Sequence, residues 1–117
     1  MKRKNTIGWK VLRIYKGRRV SACPAPAPAV RYRIRRWAVP HRDSGPLCVF
    51  LTHSAAEEFF LKYYASWKLE LWRCSYRPSA VRDVWRPTFF WGRRFPVEKL
   101  PSGTVLACGV ELLRRVA

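Results

Sequence analysis

Residues 47–76 read LCVFLTHSAAEEFFLKYYASWKLELWRCSY, and this stretch decides the fold class. Leu47 to Leu51 form a short, continuous apolar run, which suits a central strand covered on both faces. Ser54 and Glu57 follow in capping-box spacing, a hydroxyl for an early amide and a carboxylate reaching back, with Thr52 as the competing cap. The spacing predicts a helix from about Ala55 to Ser66, with Ala56, Phe59, Phe60 and Tyr63 as its buried stripe. Glu58 and Lys62 stand four apart on it, in the favourable order. From Lys68 to Tyr76 the period becomes two. Leu69, Leu71, Arg73 and Ser75 share one face, and Glu70, Trp72, Cys74 and Tyr76 share the other. Strand, helix and strand in this order form a crossover that can place the two strands parallel.

Outward from this unit, strand signals recur on both sides. MKRKNT, residues 1–6, is a short basic arm. Trp9 to Tyr15 has strand composition, Gly17 marks a turn, and Val20 to Ala22 is the returning strand. Residues 23–29, CPAPAPA, carry three prolines and can form neither helix nor ladder, so they read as a stiff Pro/Ala-rich loop. Val30 to Val39 alternates again. PHRDSGP, residues 40–46, is a turn cluster. Residues 77–102 hold four prolines and many aromatics and resist assignment. Gly103 to Leu113 reads as a strand interrupted near Gly109, where a bulge fits. The sum is an α+β fold: one domain over residues 1–117, with a largely antiparallel, twisted sheet of about five or six strands and one main helix packed on one face.

The charge is lopsided. Among 117 residues, 24 Lys and Arg stand against 7 Asp and Glu, a net charge of +17. Such an excess creates an attractive field for polyanions whatever the fold, with nucleic acid the first candidate partner and an anionic membrane surface the second. Most of the cations are Arg, whose planar fork matches phosphate and stacks on rings. GC-rich coding would enrich Arg, Ala and Pro together, as in SACPAPAPAV, but it accounts only for the choice of Arg and not for the net charge.

The clearest candidate interface is VRYRIRRWAVP, residues 30–40. Val30, Tyr32 and Ile34 fall on one parity and Arg31, Arg33 and Arg35 on the other, with Arg36 adjoining. Alternate residues of a strand lie roughly 6.7 Å apart, close to the spacing of phosphates along an extended nucleic-acid strand. The plainer reading is a solvated strand face whose Arg stems cover apolar neighbours. The second candidate is VRDVWRPTFFWGRRF, residues 81–95, in which rings and cations alternate. Arg93 and Arg94 could hold a backbone there while Trp91 stacks on a base. The competing reading folds most of these rings into the core. Basic ends at residues 2–4 and 114–115 can add nonspecific affinity.

Cysteines Cys23, Cys48, Cys74 and Cys108 form no C-x-x-C pair, and His41 and His53 complete no zinc spacing. No metal and no cofactor are expected, and the thiols read as free and mostly buried in a reducing cytoplasm. No run approaches the length of a transmembrane span, and the basic start lacks the apolar core of a signal peptide. Catalysis finds little footing. Cys48 near His53 reads as a buried strand residue, Asp43 beside His41 sits in a turn, and Glu57 with Glu58 belongs to a helix start. No enzyme is expected.

GWKVLR, GPLCVFLTHSAAEEF, ELWRCSYRPS and LPSGTVLACGVELL occur in an order that resembles small uncharacterised phage- and prophage-encoded proteins. The resemblance spans about four fifths of the chain. It implies a one-domain accessory or structural viral-type protein, with no activity to carry over. The extreme Arg content and the Ala-Pro insert depart from that pattern. The sequence thus favours a small, non-enzymatic module that contacts RNA or DNA phosphates through Arg31, Arg33, Arg35 and Arg36, in the cytoplasm, a host's cytoplasm or a virion. The alternative is a structural or protein-interaction component of a phage particle or ribonucleoprotein assembly, whose basic surface meets an acidic protein partner or a packaged genome.

Overall fold

The period-two segments pair with one another until the sheet closes on itself. The computed structural model describes residues 6–22, 30–40, 45–84 and 95–117. In chain order the elements are β1 (Thr6–Tyr15), β2 (Arg18–Ser21), β3 (Trp37–Ala38), β4 (Leu47–Phe50), α1 (His53–Tyr63), β5 (Leu69–Pro78), β6 (Asp83–Val84), β7 (Phe95–Pro96), a 3-10 turn (Val97–Lys99) and β8 (Thr104–Arg115). Strand β1 pairs with β5 from Thr6 opposite Tyr76 to Arg13 opposite Leu69. β5 pairs with β8, β8 with β4, and β4 returns to β1 at Trp9 opposite Phe50. All four pairings are antiparallel, so the expected twisted sheet is a four-strand barrel that leaves fewer strand edges open. Both β4 and β5 run antiparallel to β1 and to β8. The crossover through α1 therefore makes β4 and β5 parallel, as the sequence allows, but on opposite sides of the barrel.

Two extra residues on β8 help it bend. Arg73 opposes Arg114 while Cys74 opposes Leu112, which leaves Leu113 over; Arg77 opposes Gly109 while Pro78 opposes Ala107, which leaves Cys108 over. The second bulge is the interruption expected near Gly109. Such insertions raise local twist and turn a strand around a closed sheet. Lys16 and Gly17 both take positive φ, 50° and 75°, between Tyr15 and its partner Arg18. This left-handed pair matches the twist of the β1–β2 hairpin.

The apolar run of β4 now has its reason. Leu47 and Val49 belong to the barrel interior with Leu12, Trp72, Cys74, Tyr76, Val110 and Leu112. Cys48 and Phe50 face the other way, into a second core where Val11, Leu69, Leu71 and Leu106 meet Ala56 and Phe59 of α1. Each face is covered, so every residue of β4 is buried. Burying a side chain such as Phe59 stabilises by roughly 1.5–3 kcal/mol.

Three expectations need correction. The helix starts at His53 and ends at Tyr63, and Thr52 is its cap: its Oγ1 accepts the Ala55 amide at 3.2 Å. Ser54 and Glu57 lie inside the first turns. The Leu51 amide is held by the Gly103 carbonyl, so the chain leaves β4 there, and Thr52 is the next extended residue with an oxygen to offer. Thr6, the last residue of the expected basic arm, pairs with Tyr76 in β1, and residues 1–5 lie outside the described residues. Residues 30–39 are not one strand. The Tyr32 amide donates to the Arg19 carbonyl of β2 and the Arg35 amide to Leu112 of β8; Arg36 then closes a turn on Arg33 before β3 pairs with β8. The segment bridges two different strands, and it reverses at Arg35, whose φ is 62°.

Gly8 permits a close approach inside the barrel. A Cβ there would stand 2.8 Å from Tyr76 Cε1 and 3.0 Å from the Phe50 carbonyl oxygen. Gly8→Ala should lower stability by about 1–2 kcal/mol through overpacking, read as a lower urea midpoint at unchanged m-value.

Candidate nucleic-acid interface

Antiparallel pairing brings the end of β1, the start of β2, the start of β5 and the end of β8 to the same pole of the barrel. The Ile14 amide, for example, donates to the Lys68 carbonyl. That pole carries Lys16, Arg18, Lys68, Arg114 and Arg115, all exposed. The bridging segment starts beside Arg19 of β2 and descends along the barrel to Leu112 of β8. It adds Arg31, Arg33, Arg35 and Arg36, each exposed.

Within this segment the predicted alternation survives only in part. Tyr32 is 2% exposed and belongs to the barrel interior, while Arg31 and Arg33 on either side face solvent. Ile34 is 48% exposed, against expectation, because the chain is already turning away from the interior there. The Tyr32 hydroxyl is buried. Burial pushes this phenol's pKa up, and the charge of Lys10 opposes that shift. The Lys10 ammonium lies 5.0 Å from the Tyr32 ring centroid.

Three of the described acidic groups pair with cations outside the bridging segment. Glu70, on β5 at the cationic pole, binds Arg19 Nε at 2.9 Å and Arg115 at 3.4 Å, and it accepts the Trp72 indole N–H at 2.9 Å. Burial alone would raise its carboxyl, but the hydrogen bonds from Trp72 and Arg19 and the charges of Arg19 and Arg115 outweigh this and hold it below the usual range. Glu57 lies 3.7 Å from His53, and Glu98 lies 3.6 Å from Arg82. Among the described residues Arg31, Arg33, Arg35 and Arg36 make no ion pair. Four guanidiniums within six residues thus face solvent beside further cations.

The structure brings together these four candidates. Trp91, Arg93 and Arg94 lie outside the described residues, as do His41 and Asp43. Sequence reasoning missed Arg18, a neighbour to the segment through β2, and had no means to join Arg114 and Arg115 to it. The turn at Gly17 was a partial signal for Arg18, since it returns β2 along β1.

Other chemistry is thinly supplied. Cys48 and Cys74 are buried, and burial pushes the Cys74 thiol up to about 12; Cys108 is exposed. Cys23 lies outside the described residues. Among the described residues no three His, Cys, Asp or Glu side chains converge on a metal position, and no helix is long and apolar enough to cross a membrane. A cleft of about 210 Å³ opens beside Tyr76, Ser79, Arg82, Val97 and Thr104. Comparison with family models, with curated proteins and with solved structures returns no match to this chain.

Proposed function

We propose that this chain is a small nucleic-acid-binding module that engages phosphates through Arg31, Arg33, Arg35 and Arg36. The observation that carries this reading is the exposure of these four guanidiniums without acidic partners among the described residues, on a segment anchored at both ends to the barrel. Arg35 occupies the left-handed region at φ 62°, which costs a side-chain-bearing residue about 1–2 kcal/mol relative to the right-handed form. The turn at this residue is what carries the segment from Leu112 back into β3.

Binding of this kind releases counterions, so log affinity falls linearly with log salt. The triple variant R31Q/R33Q/R35Q should flatten that slope by about 2 for a single strand, with affinity lowered almost equally across sequences. Fluorescence anisotropy of a labelled oligonucleotide over a KCl series measures both. Unchanged slope and affinity would remove the segment as the contact face. Purification without nuclease tests the rival reading: an acidic protein partner retained in place of nucleic acid favours a component of a particle or ribonucleoprotein assembly.

A further inference from the structure

A second group of cations lies on the barrel wall. Arg73 of β5 is the direct cross-strand partner of Arg114 of β8. Both side chains are exposed, and neither makes an ion pair among the described residues. Directly opposed residues hold their Cβ atoms roughly 4.5–5.5 Å apart, and like charges in this arrangement are destabilising. The far side of β8 carries the bridging segment, where the Arg35 amide donates to the Leu112 carbonyl. Arg73 and Arg114 therefore stand side by side on β5 and β8, about 4.8 Å apart, and Arg35 lies on the other side of β8, two residues along it from Arg114. A chain of phosphates crossing the strands would meet them in turn.

We infer that Arg73 and Arg114 form a phosphate subsite that clamps one phosphodiester of the same nucleic-acid strand whose neighbouring phosphates lie on Arg31, Arg33, Arg35 and Arg36. The inference rests on the nucleic-acid reading above. A phosphate between two guanidinium forks accepts charge-assisted hydrogen bonds from both, so the bound anion relieves the repulsion that the free protein carries. The pair is a local cost to the fold, offset when ligand is bound.

Two measurements on R73Q/R114Q test this. In anisotropy titrations of a labelled oligothymidylate over a KCl series, the double variant should show a salt slope shallower than wild type by about 0.7, the share of one phosphate. The ligand-free double variant should melt higher than wild type by roughly 1–4 °C, because the opposed charges are gone. Lys99→Gln, on the 3-10 turn before the opposite end of β8, controls for a general fall in net charge and should shift melting less. If wild type binds and R31Q/R33Q/R35Q flattens the slope while R73Q/R114Q leaves it unchanged, the subsite is refuted and the module reading stands. If R73Q/R114Q melts no higher than wild type, the pair is not under repulsion and the inference falls. If wild type does not bind the oligonucleotide at all, both readings fall together.

Discussion

Lys10→Ala is expected to destabilise the fold by about 3–5 kcal/mol, one of the two largest effects of any single substitution proposed for this protein. Lys10 is 1% exposed and lies on the inward parity of β1, between Gly8 and Leu12 and opposite Trp72. Its ammonium donates to Ser21 Oγ at 2.7 Å and to the Cys48 carbonyl. These partners belong to β2 and β4, the two strands that succeed one another along the same edge of β1, β4 at Trp9 and β2 from Leu12 onward. The ammonium thus ties both strands together where the ladder passes from one to the other. Truncation to Ala removes the stem from a close-packed interior and strips two buried acceptors of their donor. Lys10→Met keeps most of the volume and relieves the buried charge, so its cost should be about half as large. Urea unfolding of both variants at neutral pH measures the two terms. A loss under about 1 kcal/mol for Lys10→Ala would show that the interior neither packs on the stem nor uses the ammonium.

Glu70→Gln is expected to cost about 2–3 kcal/mol at neutral pH and to change how stability depends on acid. The carboxylate is 6% exposed and joins Arg19 of β2, Arg115 of β8 and its own strand neighbour Trp72. Both arginines keep substantial exposure, so solvent screens part of the attraction and the cost stays below that of a fully buried pair. Its folded-state pKa is held below the ordinary value of 4.5. A depressed carboxyl contributes stability that is fully present above the unfolded value and is lost as pH falls through the folded one. Wild type should therefore lose stability below about pH 4.5, and Glu70→Gln should lack this part of the decline. Parallel stability–pH curves for the two proteins would show that this ion-pair group contributes nothing to the acid limb.

Both substitutions act where the barrel's neighbours meet, and neither residue stands out in the linear chain. Lys10 sits inside WKVLRIY, and its parity with Leu12 puts it on an apolar face, where a cation reads as an edge or solvent residue. Glu70 shares parity with Trp72 and Cys74, which names a face without naming the arginines that reach it. The partners of each come from other strands, at sequence distances where composition and period carry no signal. The same holds for Arg73 and Arg114, whose opposition depends on a register shift in β8.

The linear chain determined what is local. The period of two marked β1, β5 and β8, the unbroken apolar run marked β4, and a short polar residue before a helical stripe marked the start of α1 to within two residues. Hydrophobic period and cap chemistry act over a few neighbouring residues, so they are written where they operate. It also determined the cationic excess and the exposed Arg31 and Arg33 around a buried Tyr32. The tertiary structure decided everything that required pairing between distant strands. It chose Thr52 over Ser54, broke residues 30–39 at Arg35 to reach both β2 and β8, and closed the sheet into a barrel. It set Arg18, Arg114 and Arg115 near the same segment. Strand order and register follow from which closure buries two apolar layers at once, and that free energy belongs to the assembled barrel and to no stretch of it taken separately.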